Sequence, residues 1–147
     1  MESKLFFMRY IFLFTVGFAL FYGCGKNGLS RKEAEKSVRA AFELFMVVQS
    51  MGGQHLSDRD VVKIHDLRGP DEGPVDATVL GIGSDSAKVM HAEAKEKGHY
   101  VAVATLVRIW PTDGAAYDTL GGVFAIFKSG DRWEALPLSE VHRLNPR

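Results

Sequence analysis

Residues 99–110 constrain the fold of this chain more than any other part of its sequence. These twelve residues, HYVAVATLVRIW, alternate between two sets of side chains that are both largely apolar. Successive side chains of a β-strand point to opposite faces of a sheet, so a strand with two apolar sets is buried on both faces. The segment therefore predicts a central strand.

A long helix is predicted before this strand. Ser30 and Glu33 have the spacing of a capping box, in which each side chain satisfies an amide of the other residue. The helix is expected to end at Gly52-Gly53. Its second half, AAFELFMVV, is apolar around most of its circumference, so we expect it to be covered on more than one side. Apolar residues recur every three or four positions, at Ala34, Val38, Ala41, Phe42, Phe45, Val48 and Met51.

The residues between this helix and the central strand allow several interpretations. Residues 57–67 fit a short second helix capped by Ser57, or a strand, because their VVKI stretch favours β-structure. Residues 75–82 are predicted as a strand. Residues 87–97 have a helical composition but only a thin apolar stripe, and we interpret them as the first arm of a hairpin that turns near Lys97-Gly98.

Two strands are predicted after the central one. Residues 116–128 form the first, and Gly121-Gly122 within it predicts a bulge or bend. Residues 132–138 pair back onto it, and Pro137 confines this last strand to an edge. The polar end of the chain is expected to dock loosely. The fold predicted is α+β: a long N-terminal helix, with the short second helix as an option, packed on a curved antiparallel sheet of four to five strands.

The N-terminus differs in character from the rest of the chain. Residues 10–23, YIFLFTVGFALFYG, carry no charge, and Lys4 and Arg9 precede them. A basic start, a short apolar run and a small residue at its end are typical of an export signal. The run is shorter than the roughly 20 apolar residues that span a bilayer. A tilted single-span anchor that begins at Leu5 and includes Arg9 stays open as an alternative.

Cys24 is the only cysteine and follows the apolar run directly. The residues Phe21-Tyr22-Gly23-Cys24 resemble the end of a bacterial lipoprotein signal peptide. The resemblance implies that the Cys24 thiol is joined to diacylglycerol, that residues 1–23 are removed, and that the new amino terminus is acylated. Gly23 fits the small residue of that family, whereas Phe21 and Tyr22 depart from its usual Leu and its usual Ala or Ser. Gly25 stands where some inner-membrane lipoproteins have Asp, which favours the outer membrane.

The remaining sequence predicts one domain. Residues 24–29 would be the lipid attachment and a short tether, residues 30–141 the domain, and residues 142–147 a tail. The 147 residues are too few for two independent cores. Lys plus Arg total 18 and Asp plus Glu total 18, so no basic surplus indicates nucleic acid. A single cysteine excludes a disulfide framework and a Cys-rich zinc site.

The order of helix and strands, closing in VFAIFKSGDRWEAL, is similar to the nuclear-transport-factor-two-like superfamily of cone-shaped domains over roughly residues 30–138. A cystatin-like domain fits nearly as well. The nuclear-transport-factor-two-like superfamily includes ketosteroid-isomerase-like enzymes, which use a carboxylate base and polar groups in a cavity. The resemblance to it points to Tyr100, Tyr117 and Asp118 as residues of those types. Trp110 and Trp133 are residue types that hold an apolar ligand at the mouth of a concave sheet, or that complete a core.

No catalytic residues, metal site or cofactor are predicted. The five histidines lack the HExxH spacing of a helical zinc site. On a strand, His91 and Glu93 would share a face near His99, and we interpret all three as solvated polar residues rather than as metal ligands.

Two functional hypotheses follow. The first is a non-catalytic binding domain at the cell envelope, held to the membrane through lipid on Cys24, with an envelope protein or a small apolar ligand as partner. The second is a cavity enzyme that acts on a small apolar carbonyl compound. A carboxylate without a charge partner on the concave face would favour the enzyme. A cavity filled by large apolar side chains, or an exposed apolar patch, would favour the binding domain.

Overall fold

The structure, a computed structural model, describes residues 28–144, and the domain within it begins at Arg31. The predicted signal peptide and Cys24 lie outside the described residues. No helix within residues 28–144 is both long and apolar enough to cross a membrane. The elements in chain order are helix α1 (Arg31–Gln49), strand β1 (Val61–Arg68), a 3-10 helix (Thr78–Leu80), helix α2 (Ser84–Glu96), and strands β2 (Tyr100–Ile109), β3 (Ala116–Ser129), β4 (Arg132–Pro137) and β5 (His142–Arg143).

The strands form an open antiparallel sheet in the order β1-β2-β3-β4, which confirms the predicted α+β class. β2 has β1 on one side and β3 on the other, so the prediction of a central strand is also confirmed. The long strand β3 pairs with β2 along one side and with β4 and β5 along the other. β1 and β4 are therefore outer strands of the sheet.

Helix α1 covers one face of the sheet. The ring of Phe42 meets Phe124 of β3 edge-on, with ring centroids 5.0 Å apart. Phe124 pairs with Ala102 of β2, so these two residues and every second residue beyond them share the face beneath the helix. Phe42, Phe124 and Leu106 are among the largest fully buried side chains, and they fill the space between α1 and the sheet.

Part of the apolar surface of α1 is uncovered. Ala34, Val38 and Phe42 of the predicted stripe are buried, whereas Val48 and Met51 are exposed. Leu44, in the same second half of the helix, is 63% exposed. The expectation that this half is covered on more than one side is therefore wrong for the described residues.

The opposite face of the sheet is covered by α2 and the residues before it. Val101, Val103 and Val123 form one buried cluster with Ala87 and Ala94 of α2. Three further buried members of that cluster precede the helix, namely Val75, Ala77 and Leu80. Helices on both faces explain why both side-chain sets of β2 are apolar.

The first ambiguous segment forms strand β1 and not a short second helix. Asp60 and Ser57 do bond reciprocally, since the Ser57 amide donates to Asp60 Oδ2 at 2.9 Å and the Asp60 amide donates to Ser57 O at 3.1 Å. These bonds close a turn, after which the chain pairs with β2 from Val61 onward. The β-preference of the VVKI stretch is therefore realised, because β2 offers it a partner.

The two predictions for residues 75–82 and 87–97 are wrong. The first segment contains the 3-10 helix, where Asp76 Oδ1 accepts from the Thr78 amide at 3.0 Å and Gly81, at φ 77°, ends the turn. The second segment is helix α2, whose thin buried stripe consists of Ala87, His91 and Ala94. Ala87 and Ala94 pack against Val101 and Val103 of the sheet, so a thin stripe is sufficient.

Gly121-Gly122 does not form the predicted bulge. The β2–β3 register is continuous there and shifts only between Arg108 and Ile109. A Cβ on Gly121 would lie 2.6 Å from Leu80 Cδ2, so glycine is needed for close approach of the 3-10 helix.

The end of the chain is not a loosely docked tail over its described part. His142–Arg143 pair with β3 as strand β5, and the Leu144 amide donates to Thr119 O at 2.8 Å. Val141, just before β5, is buried. These contacts place the side chain of Arg143 beside β3.

Candidate functional site

A cleft of about 890 Å³ lies where β2 ends and β3 begins, beside the carboxyl-terminal end of α1. Strand alternation brings Arg108 to the face that α1 covers, but at a point beyond the large apolar side chains under the helix. The loop after α1 and strand β5 complete the walls. The lining includes Met46, His55, Arg108, Tyr117, Asp118 and Arg143.

Arg108 is a buried cation that Asp60 holds in place. Arg108 is only 8% exposed, and its Nε donates to Asp60 Oδ2 at 2.9 Å. The Asp60 side chain is 1% exposed. Its Oδ2 also accepts from the Ser57 amide and its Oδ1 from the Ile109 amide at 3.0 Å. Burial alone would raise the pKa of Asp60, but the two amides and the Arg108 guanidinium outweigh it and hold that pKa below its ordinary value.

The rest of the Arg108 guanidinium is weakly bonded. Its Nη2 donates to His55 O at a long 3.4 Å, and its Nη1 lies 3.9 Å from Met46 Sδ. A thioether is a weak acceptor, and a guanidinium carries five N–H groups. Three of the five have a partner among the described residues, and the other two have none. Arg108 therefore presents unused donor capacity in the wall of the cleft.

One ring of a stacked aromatic pair lies beside this cation. Trp110 and Tyr117 lie with ring centroids 4.1 Å apart at 23°, and the Arg108 Cζ is 5.6 Å from the Tyr117 centroid. The two strands change register just after Arg108, which leaves Tyr117 without a paired residue in β2 and turns its ring toward Trp110. Trp110 is 49% exposed and Tyr117 is 42% exposed. The rim of the cleft is thus an aromatic surface that is open to solvent.

Asp118 and Arg143 form an ion pair on the far wall. Arg143 donates to both carboxylate oxygens, from Nε at 2.7 Å and from Nη2 at 2.9 Å. The bond from Arg143 is the main cause that lowers the pKa of Asp118; burial opposes it, and the charge of Arg108 adds to it. A general base at neutral pH needs a pKa near 7, so this carboxylate is poorly suited to that role.

The candidate cavity residues separate into two groups. Tyr117 and Asp118 line the cleft, and Trp110 stacks on Tyr117 beside it. Tyr100 and Trp133 instead contact each other edge-on, with centroids 5.8 Å apart, at the opposite end of β2. Ten residues of strand separate the two groups by about 30 Å. They do not line one cavity.

Sequence reasoning pointed to Asp118 but missed the other charged residues, Arg108, Asp60 and Arg143. Arg108 carried a detectable signal, because it is the one charged residue in residues 99–110. Arg143 carried none, since its role depends on a contact with Asp118, 25 positions away. Asp60 carried no signal for a buried ion pair, because its partner Arg108 is 48 positions away.

The described histidines and acids form no metal site. Within residues 28–144 no group of three or more His, Cys, Asp or Glu side chains is placed to hold a metal ion. His91 lies on α2, buried, with Nε2 2.8 Å from Glu72 O. On a helix, His91 and Glu93 point in different directions and do not share the face that a strand would give them.

No family model matches this chain, and no curated protein or solved structure matches it either. Function is therefore inferred from the N-terminal sequence and from the chemistry of the cleft.

Proposed function

We propose that this chain is a bacterial lipoprotein of the cell envelope. In this proposal lipid on Cys24 holds the protein to a membrane, the outer rather than the inner one, and the folded domain binds a partner without catalysing a reaction. One observation carries the proposal: the charge-free residues 10–23 end directly before the only cysteine of the chain.

The short connection between Cys24 and the domain supports this role. Helix α1 begins at Arg31, seven residues after Cys24. An extended chain of this length reaches at most about 25 Å, so the domain would stay close to the bilayer. The helix itself is about 28 Å long, and the cleft lies at its far end. The cleft would then be available to a partner in the aqueous compartment.

The charge of the processed protein fits attachment by lipid rather than by electrostatics. Removal of residues 1–23 takes away Lys4, Arg9 and Glu2 and leaves 16 basic and 17 acidic residues of the original 18 and 18. A net charge of −1 gives no basic patch for anionic lipid. Each buried CH₂ of an acyl chain contributes about 0.8 kcal/mol, so two or three chains hold a protein without help.

Binding is favoured over catalysis by the state of Asp118 and by the filled interior. The alternative, an isomerase-like cavity enzyme, needs a carboxylate without a charge partner in a dry cavity. Asp118 is bound at both oxygens by Arg143. Phe42, Phe124 and Leu106 occupy the space that such a cavity would need. These contacts support a domain that binds at its surface cleft.

Mass spectrometry of the protein purified from bacterial membranes tests the anchor. We expect an amino terminus at Cys24 and added mass from diacylglycerol and a fatty acid. In the variant Cys24→Ser we expect an uncleaved precursor or release of the domain into the soluble fraction. Asn27→Ser is the matched control, because it changes the tether and leaves Cys24 in place.

An intact Met1 terminus, or an unmodified Cys24 in the membrane fraction, would overturn the anchor. Equal processing and fractionation of Cys24→Ser and Asn27→Ser would do the same and would favour the single-span alternative.

A further inference from the structure

We infer that the cleft binds a small carboxylate with a flat apolar body, with the carboxylate on Arg108 and the body against Tyr117 and Trp110. The inference rests on the proposed binding role of the domain and does not depend on lipid at Cys24. It names the chemical class of ligand that the proposed role leaves open.

Arg108 supplies the reason for a carboxylate. Buried polar groups in folded proteins are almost always hydrogen-bonded, and an unsatisfied donor is costly. Arg108 is nine-tenths buried, yet two of its N–H groups have no partner among residues 28–144 and a third faces a thioether. A planar carboxylate accepts two parallel hydrogen bonds from a guanidinium, which is the strongest way to use those donors.

Asp60 makes Arg108 a rigid receptor rather than a mobile side chain. It holds the guanidinium by Nε and is itself held by two backbone amides. Because the guanidinium is already ordered, a ligand loses little affinity to fixing it. With Nε bonded to Asp60, the N–H groups left for a ligand are on the Nη atoms of a residue that lines the cleft.

The aromatic rim supplies the reason for a flat body. The rings of Trp110 and Tyr117 are about half exposed. The Tyr117 ring lies beside the cation, and the Trp110 ring stacks on Tyr117. An apolar ring attached to a carboxylate on Arg108 would remove these surfaces from water. A cleft of about 890 Å³ is within the usual range for small-molecule sites.

The second ion pair lets an anion approach. Asp118 alone would repel a carboxylate, but Arg143 neutralises it from both oxygens. Arg143 remains 60% exposed at the mouth of the cleft. Since the charges of Arg108 and Asp60 also cancel, we expect a weak affinity for a fragment, with a dissociation constant of roughly 1 mM.

The two tryptophans of this chain make the test internally controlled. Each indole N–H gives its own signal in a nitrogen-15 correlation spectrum, and Trp110 and Trp133 lie at opposite ends of β2. Full-length protein in detergent would be titrated with benzoate, with the neutral analogue benzyl alcohol, and with acetate. We expect benzoate to shift the Trp110 signal and leave Trp133 unchanged, and the other two probes to bind at least tenfold more weakly.

Variants separate the carboxylate contact from the aromatic contact. Arg108→Lys keeps a cation beside Asp60 but removes the planar fork, so benzoate affinity should fall at least tenfold. Tyr117→Leu, at an exposed position, should weaken benzoate binding severalfold. This variant tests the site if Arg108→Lys does not fold. Arg132→Lys, at the other end of the sheet, is the matched control and should not change the affinity.

If benzyl alcohol bound as tightly as benzoate, the carboxylate class would be overturned, and the domain would keep a binding role. A benzoate shift that survives both Arg108→Lys and Tyr117→Leu, or that is equal at both indoles, would overturn the site. Absence of any shift up to tens of millimolar benzoate would overturn the inference, and mass spectrometry of Cys24 would still decide the anchor separately.

Discussion

The two ends of β2 carry the same kinds of side chain in different arrangements. At one end Tyr100 and Trp133 meet edge-on, and Lys128 Nζ lies 5.1 Å from the Trp133 ring centroid. At the other end Trp110 and Tyr117 stack, and Arg108 lies over Tyr117. Both ends therefore combine two aromatic rings with a cation.

The difference is where the cation sits. Lys128 is exposed and keeps its hydration, so it needs no partner in the protein. Arg108 is buried, and a second residue, Asp60, is needed to balance it. Aromatic rings next to a cation therefore do not by themselves define a site. Burial of the charge does, because it leaves donors that have no partner among the described residues.

The largest expected effect comes from breaking the buried pair at the cleft end. Asp60→Ala would leave Arg108 uncompensated and two amides without an acceptor, and we expect a loss of about 5 kcal/mol in the free energy of unfolding. Urea denaturation measures it. Asp131→Ala, at an exposed turn of the other end, should change stability by no more than about 0.5 kcal/mol. Similar small losses for both variants would show that the Asp60–Arg108 pair is not buried.

The core between the two ends should respond almost as strongly. Phe42→Ala removes a fully buried ring that packs on Phe124, and we expect a loss of about 3–5 kcal/mol. Leu44→Ala, two residues away on the exposed side of the same helix, should cost less than about 1 kcal/mol. If Phe42→Ala cost below about 1 kcal/mol in the same urea experiment, the packing of α1 described above would be incorrect.

Acid should lower the free energy of unfolding through one residue at each end of β2, and over a different pH range for each. Burial, and after it the charge of Lys97, hold the pKa of His99 below its ordinary value of 6.5. As the pH falls, the unfolded chain therefore binds a proton at this residue before the folded chain does. Stability is lost as the pH falls below about 6.5. The pKa of Asp118 at the cleft lies below 3.8, so its contribution is complete above that pH and is lost below it.

Unfolding free energies measured against pH separate the two ranges. His99→Gln should flatten the decline below pH 6.5, to which His65 also contributes because burial lowers its pKa. Asp118→Asn should flatten only the decline below pH 3.8. If the His99→Gln curve ran parallel to the wild-type curve between pH 5 and 6.5, His99 would not be a cause of that decline in stability.

The smallest effect should distinguish the two aromatic pairs. Tyr100→Leu removes the edge contact with Trp133 and should cost about 1 kcal/mol of stability, with no change in benzoate affinity. Tyr117→Leu should change stability by about 0.5 kcal/mol, because Tyr117 is 42% exposed, and should weaken benzoate binding. Thermal unfolding and the titration described above measure both. The opposite pattern would assign the binding surface to the other end of β2.

The sequence predicted the parts of the fold that have a strong local pattern. α1, β2, β3 and β4 follow from periodicity and turn residues. Helix α2 was missed because a stripe of Ala87, His91 and Ala94 is too thin to dominate a hydrophobic pattern, and only the sheet beneath it makes that stripe sufficient. For β1, local preference allowed two structures, and pairing with β2 decided between them.

The site was predictable only in part, for a similar reason. Trp110, Tyr117 and Asp118 are recognisable by residue type beside a turn. The contacts that give the cleft its chemistry join residues far apart in sequence, 48 positions for Asp60 and Arg108 and 25 for Asp118 and Arg143. No local sequence pattern indicates these long-range contacts, because they depend on strand register and on how the loops close.

The outer strand β4 would matter if the protein is held to a membrane as proposed. Tethered molecules share a thin layer and collide often, and an unpaired strand edge is a template for intermolecular sheets and aggregation. β4 is six residues long, bears Arg132 and Glu134, and ends at Pro137, which has no N–H to donate. This edge is therefore a poor template, so copies tethered side by side would not join their sheets through β4.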